Sequence, residues 1–272
     1  MKVTLVVNTR KTEAIDYKHA IEDHLSSKGV KVTSILEENY NRDDFFDTDA
    51  IVSIGGDGTM LRIAGVLRGQ DTPILGVNAG HLGYLTEVSR IEQIPEAMDR
   101  LIRHDYIRDV RTMLHGSVRR NGEVISRGTA LNEILVSRRN GISVMHFAVS
   151  CDGQELSNYT SDGIIFSTPT GSTAYNLSAG GPIVSPGSPV IVMTPICAHS
   201  TKSRPVVLSD SSRIQIRVES ENEIVAFDGE HIIDLKQGDI VTVRKANEMT
   251  TLIKLREGSF LETLRKKMDN EH

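Results

Sequence analysis

Chemistry is most concentrated in Gly55-Gly56-Asp57-Gly58-Thr59, which follows the apolar run Ala50 to Ile54 and precedes residues with apolar positions at helical spacing. Three glycines let a backbone turn sharply and bring bare amides to the surface. The start of a helix adds N–H groups without partners and a positive dipole end. Gly55, Gly56 and Thr59 therefore form a cradle suited to a phosphate. A carboxylate inside such a cradle repels phosphate unless it binds a metal ion or takes a proton from an attacking hydroxyl. Asp57 in this position points to phosphoryl transfer. Gly and Asp are also ordinary turn residues, but a strand on one side and a helix on the other favour the functional reading. The turn is neither a Gly-x-x-x-x-Gly-Lys-Ser/Thr loop nor a Gly-x-Gly-x-x-Gly fingerprint.

A second constellation runs from Ser161-Asp162-Gly163 through Thr168-Pro169-Thr170-Gly171-Ser172-Thr173-Ala174-Tyr175-Asn176-Leu177-Ser178 to Gly180-Gly181. A short apolar strand, Ile164 to Ser167, breaks at Pro169, and seven hydroxyl side chains lie between Ser167 and Ser178. Hydroxyls and glycines make a polar wall able to hydrogen-bond phosphate or ribose; the plainer alternative is a Ser/Thr-rich surface loop. Asn176-Leu177-Ser178-Ala179-Gly180 lacks the first glycine of a Gly-x-Ser-x-Gly serine hydrolase. Asn132-Glu133 interrupts the apolar run Ala130 to Val136, and strand alternation turns one of the two toward a cleft; the alternative is a solvated strand edge. Arg62, one turn into the helix after the glycine loop, is a phosphate contact or a solvated arginine. His81, in Gly80-His81-Leu82-Gly83-Tyr84, reads equally well as a structural or a functional histidine.

The elements that must carry these residues divide into two textures. Strands at Val3 to Val7, Val30 to Ile35, Ala50 to Ile54 and Pro73 to Val77 alternate with helical patterns at 12–28, after the glycine turn, and near 91–104. Residues 39–49 read as a polar, acidic connection. Such alternation predicts a doubly wound, Rossmann-like α/β domain whose ligands bind beyond the carboxyl ends of its parallel strands. From about Ile107, Val- and Ile-rich runs are separated by Asn121-Gly122, Asp152-Gly153, Asp228-Gly229 and Gly238-Asp239, the signals of a mainly antiparallel β-rich domain. The expected division is residues 1–104 and 105–257, with a helix near 258–272 packing back on the first domain.

Composition narrows the function. A net charge of −5 and the absence of tryptophan argue against general binding of nucleic acid, a base-stacking strand binder or a membrane surface. No apolar run approaches bilayer length. The first residues read as a strand, not a signal peptide, and Cys151 and Cys197 suit a reducing cytoplasm. The nine histidines form no His-x-x-x-His pair, so no metal-ligating residue is assigned.

Gly55-Gly56-Asp57-Gly58-Thr59, Asn78 to Tyr84, Asn132-Glu133, Ser161-Asp162-Gly163, Thr168 to Tyr175, Thr194-Pro195-Ile196-Cys197 and Ser203-Arg204-Pro205-Val206-Val207, in this order, resemble the NAD kinases. The match spans roughly residues 50–230. It implies transfer of the γ-phosphoryl group of ATP to the 2′-hydroxyl of NAD's adenosine ribose, with a magnesium ion accompanying ATP. Asp57 matches the family's proton acceptor. Gly58, Arg62, Asn132, Glu133, Asp162, Thr173, Ala174, Tyr175, Asn176, Leu177 and Ser178 match positions that contact NAD. The resemblance also implies a homodimer or homotetramer. Two departures stand out: Asp228-Gly229-Glu230 replaces the Asp-Gly-Gln of many members, and Thr160 stands where a basic residue often occurs. The glycine–aspartate turn is shared with diacylglycerol-type lipid kinases, which supplies one alternative; a catalytically silent NAD(P)-binding sensor is another.

Overall fold

Lys-Val-Thr-Leu-Val-Val forms strand β1 (Lys2–Val7), with five of its six residues buried. A strand covered on both faces carries a continuous apolar run, as the parallel sheets of α/β folds do. The computed structural model describes residues 1–38, 40–80, 83–140, 144–200 and 203–269. His81, a candidate from sequence, lies outside the described residues. Helix α1 (Ala14–Ser27) buries Ala14, Tyr17, Ile21 and Leu25, the four apolar positions of one helical face. β2 (Lys31–Leu36), β3 (Ala50–Gly55), α2 (Asp57–Leu67), β4 (Ile74–Asn78) and α3 (Ile94–Ile102) follow.

The single helix expected near 91–104 is a 3-10 turn, Ile91–Gln93, followed by α3. Pro95 explains the break, because a residue without an N–H is tolerated in the first helical turn but not inside a helix. The acidic connection before β3 holds another 3-10 turn, Arg42–Phe45, capped by the Asn41 side chain. Strand order is β2-β1-β3-β4, every pair parallel, and Leu252 pairs in parallel with Ile74 beyond β4. Connections from β1 run to opposite sides of this order, so the crevice beyond the carboxyl ends of β1 and β3 is the topological switch point.

Antiparallel strands make up the rest: β5 (Ile107–Arg120), β6 (Glu123–Ala130), β7 (Glu133–Arg138), β8 (Met145–Cys151), β9 (Gln154–Ser161) and β10 (Gly163–Ser167). The short helix α4 (Tyr175–Ser178) precedes β11 (Val190–Ile196), β12 (Val206–Ser209), β13 (Ile214–Val218), β14 (Glu223–Phe227), β15 (His231–Leu235), β16 (Ile240–Lys254) and helix α5 (Ser259–Asp269). One sheet has the order β12-β11-β10-β7-β14-β15, and β13 pairs with β8 and with the first half of β16. A core including Phe147, Phe166, Phe227, Ile164, Ile216 and Val241 fills this part. The pairs Asn121-Gly122, Asp152-Gly153 and Asp228-Gly229 each adopt two consecutive left-handed residues, the geometry of a tight hairpin.

The chain divides into two units: Met1–Val110 with the residues from Thr250 onward, and Arg111–Met249. These limits differ from 104 and 257. Strands β5 and β16 both run through the division, so a texture change in sequence and a boundary in contacts need not coincide.

Candidate functional site

In the first unit, β3 delivers Gly55 and Gly56 directly to the amino end of α2. Gly56 is extended (φ −150°), and Asp57 is the first helical residue. The amides of Asp57 and Gly58 lie in the first turn, where helix geometry supplies no partner, and Gly58 is exposed. Thr59 is buried and receives a bond from the Asn8 side chain at 3.4 Å, so it knits the loop from inside and is not open to a ligand. Asp57 is half-buried. Its Oδ2 accepts from the Tyr84 N–H at 2.8 Å and its Oδ1 from the Leu85 N–H at 3.1 Å. Gly83 approaches so closely that a Cβ there would overlap the Asp57 carboxylate. Each carboxylate oxygen keeps a further lone pair, so Asp57 is oriented without being used up. Arg62 lies with its guanidinium 3.7 Å from Glu37, whose side chain is 5% exposed.

In the second unit, the loop after β10 is organised by its own hydroxyls. Ser167 donates to the Thr168 carbonyl, Thr168 to the Leu131 carbonyl at 2.6 Å, and Ser172 to the Pro169 carbonyl at 2.6 Å. All three are fully buried. Thr170 accepts from Arg111 at 3.0 Å. The expected polar wall is thus corrected for these four hydroxyls: three satisfy the buried loop backbone, and Thr170 takes the Arg111 guanidinium. Asn176 is 0% exposed and spends its side chain on Ser172, Pro182 and Thr194. Tyr175, Leu177 and Ser178 are exposed, and Thr173 and Ala174 are half-buried. The open face of this segment therefore consists of those five residues. Asp162 pairs with Arg138 at 3.0 Å.

Asn132 is buried, its carbonyl accepting from the Thr168 N–H at 2.9 Å, and Gly171 sits where any Cβ would strike that carbonyl. The Asp228 carboxylate gathers the amides of Leu131, Asn132 and Glu133 at 2.7, 2.8 and 3.1 Å. Its own N–H donates to the Glu133 carbonyl at 3.1 Å. Burial pushes the Asp228 carboxyl up to about 6, against the pull of those three amides. Burial, with the neighbouring Asp228 charge second, pushes Glu133 up to about 7. Glu133 Oε2 is buried and has no hydrogen-bond partner among the described residues. A buried oxygen left unpaired is costly.

Sequence reading passed over several groups. Asn8 and Lys11 follow β1 at the switch point, and the Lys11 ammonium stands 3.6 Å from where a Cβ on Gly80 would be. The signal was available: a polar Asn-Thr-Arg-Lys run directly after a buried parallel strand. His146 hydrogen-bonds Thr160 at 3.1 Å, placing an imidazole beside the position where a basic residue was expected. Cross-strand pairing of β8 with β9 makes that contact, and nothing local announces it. Among the described residues no group of three His, Cys, Asp or Glu side chains is arranged to hold a metal ion, and no helix is long and apolar enough to cross a membrane.

Two family models match the chain, the ATP-NAD kinase N-terminal domain over residues 36–106 and the ATP-NAD kinase C-terminal domain over residues 131–255. An NAD kinase of Thiobacillus denitrificans is 38% identical over 223 residues, covering 82% of this chain and 77% of that one. Among solved structures, yeast NADH kinase complexed with NADH superposes with a TM-score of 0.89 at 26% identity, covering 100% of this chain and 88% of that one. An NAD kinase from Archaeoglobus fulgidus in complex with ATP gives 0.82 at 29% identity, covering 98% of both chains. Neither the lipid-kinase nor the silent-sensor alternative finds support in these comparisons. A glycine turn presenting an oriented aspartate, the Asn-Glu strand start and matches of this extent lead to one conclusion: the chain belongs to the NAD kinase family.

Proposed function

We propose that this protein transfers the γ-phosphoryl group of ATP to the 2′-hydroxyl of the adenosine ribose of NAD, giving NADP and ADP, with Asp57 as the general base. A bond forms between the ribose 2′ oxygen and the γ-phosphorus. The bond from that phosphorus to the β–γ bridging oxygen breaks, and the hydroxyl proton passes to Asp57. A ribose hydroxyl is a poor nucleophile at neutral pH, so a held carboxylate must orient it and take its proton. The observation that carries the reading is the Asp57 carboxylate at the mouth of a phosphate-suited turn, aimed by two backbone amides.

The remaining catalysis is alignment and charge stabilisation. Asp57 and Gly58 offer main-chain N–H groups at the helix start, and Lys11 supplies a cation beyond the same strand ends. Asn132 and Glu133 hold the adenosine moiety, with Asp162 and the open face of residues 173–178 lining the rest of the pocket. Arg62, beside Glu37, belongs to the same NAD-contacting set. A magnesium ion (Mg2+), bound with ATP, would neutralise phosphate oxygens. Among the described residues no cluster of three His, Cys, Asp or Glu side chains forms an all-protein cage, which fits an ion carried in by the ATP phosphates that keeps its waters. The family resemblance supports a homodimer or homotetramer, and the free cysteines Cys151 and Cys197 suit a reducing cytoplasm.

Asp57→Asn tests the assignment. Turnover of NAD to NADP with ATP should fall by about 10²–10⁴-fold, the usual worth of a positioned base, while the dissociation constant for NAD changes little. Retained turnover would remove Asp57 from the role.

A further inference from the structure

The groups that aim Asp57 begin a short strap, residues 83–88, whose other end is fastened to the C-terminal part of the chain. Leu85 and Val88 are buried, and the Glu87 and Val88 amides donate to the Gly76 carbonyl at 2.9 and 3.3 Å. Asn78 returns a bond from its N–H to the Val88 carbonyl at 2.7 Å. The Glu87 carboxylate takes the Lys254 ammonium at 2.7 Å and the Leu255 N–H at 3.0 Å. Both side chains of this pair are nearly water-free, 3% and 8% exposed. Further along, α5 lays the Lys267 ammonium over the Tyr84 ring, 4.6 Å from its centroid. Tyr84 is the residue whose N–H reaches Asp57 Oδ2.

We propose that the segment from Lys254 through α5 is a positioning element for Asp57, acting through the 83–88 strap, with Glu87, Lys254 and Lys267 as positioning residues. None of the three needs to touch a substrate. The ion pair fixes where the strap ends, the ring contact fixes where it begins, and the two amides between them set the carboxylate's direction. A carboxylate that must meet a hydroxyl in line with a phosphoryl donor is sensitive to displacements of about 1 Å, which can cost 10²-fold in rate. This inference rests on the reading of Asp57 as the base.

The experiment uses the full chain with NAD, ATP and magnesium, comparing Lys267→Met, Lys267→Arg and Glu87→Gln, and following amide exchange at Tyr84 and Leu85 in each. Lys267→Met should lower kcat about two- to fivefold, the rate equivalent of an exposed cation–π contact. The KM values for NAD and ATP should stay unchanged, exchange at both amides should quicken, and Lys267→Arg should restore both. Glu87→Gln should lower kcat by about tenfold or more, since it leaves a buried ammonium unpaired. If that variant does not fold, Lys267→Met alone decides. Unchanged kcat and unchanged exchange in Lys267→Met, or an effect confined to KM, would overturn the proposal. Should Asp57→Asn instead retain turnover, the base assignment falls, while the amide exchange still reports whether the strap is held from α5.

Discussion

Glu133→Gln should stabilise the second unit at pH 8 while changing it little near pH 5. A carboxyl with a pKa of about 7 in the folded chain, against an ordinary 4.5, takes up a proton on folding. Its contribution favours the native state below about 4.5 and is lost as pH rises through about 7. The separation corresponds to ~3 kcal/mol at ~1.4 kcal/mol per pH unit, and part of that cost is already present at pH 5. Between pH 5 and pH 8 the parent chain should therefore lose about 2.5 kcal/mol that the glutamine variant keeps. The physical source is the water-excluded Oε2 beside a second carboxylate, Asp228. Urea unfolding followed by far-ultraviolet circular dichroism at a series of pH values measures the gap between the two chains. Curves that run parallel from pH 5 to pH 8 would refute the reasoning, because they would mean Glu133 is as well solvated folded as unfolded.

Gly83→Ala places a methyl group against the Asp57 carboxylate. Turnover should fall about 10²-fold from misplacement of the base, with an unchanged circular dichroism spectrum; wild-type turnover would show that the carboxylate's direction does not matter. Asn176→Ala removes three hydrogen bonds from a fully buried side chain. It should cost about 2–4 kcal/mol of stability and raise the KM for NAD through the loosened 173–178 segment, a result checked by urea unfolding alongside steady-state kinetics.

Much of the fold was legible because local pattern and tertiary role agreed. Ala14, Tyr17, Ile21 and Leu25 share one helical face and are the residues α1 buries. Asn-Gly and Asp-Gly pairs marked the hairpins because few other residues accept two left-handed conformations in succession. Ile91, Ile94, Met98 and Leu101 share one apolar stripe, but Pro95, tolerated only in a first helical turn, sets the start of α3 at Ile94 and leaves Ile91 in a 3-10 turn. The hydroxyl-rich loop differs from expectation for another reason. Serine and threonine serve equally to meet a ligand or to satisfy a buried backbone, and only the three-dimensional path of residues 167–172 shows which.

By itself the sequence determined the glycine turn, the aspartate within it, the order of strands and helices, and the family, because each depends on residues close together in the chain or on a string of motifs. What only the tertiary structure decided are the contacts that cross long stretches of chain. Tyr84 and Leu85 turn Asp57 into an aimed base, Asp228 gathers the amides of residues 131–133, and Lys254 fastens Glu87. Such contacts join residues 27 to 167 positions apart. No local propensity encodes them, since a hydrogen bond between distant segments exists only once the sheets have brought the two backbones together.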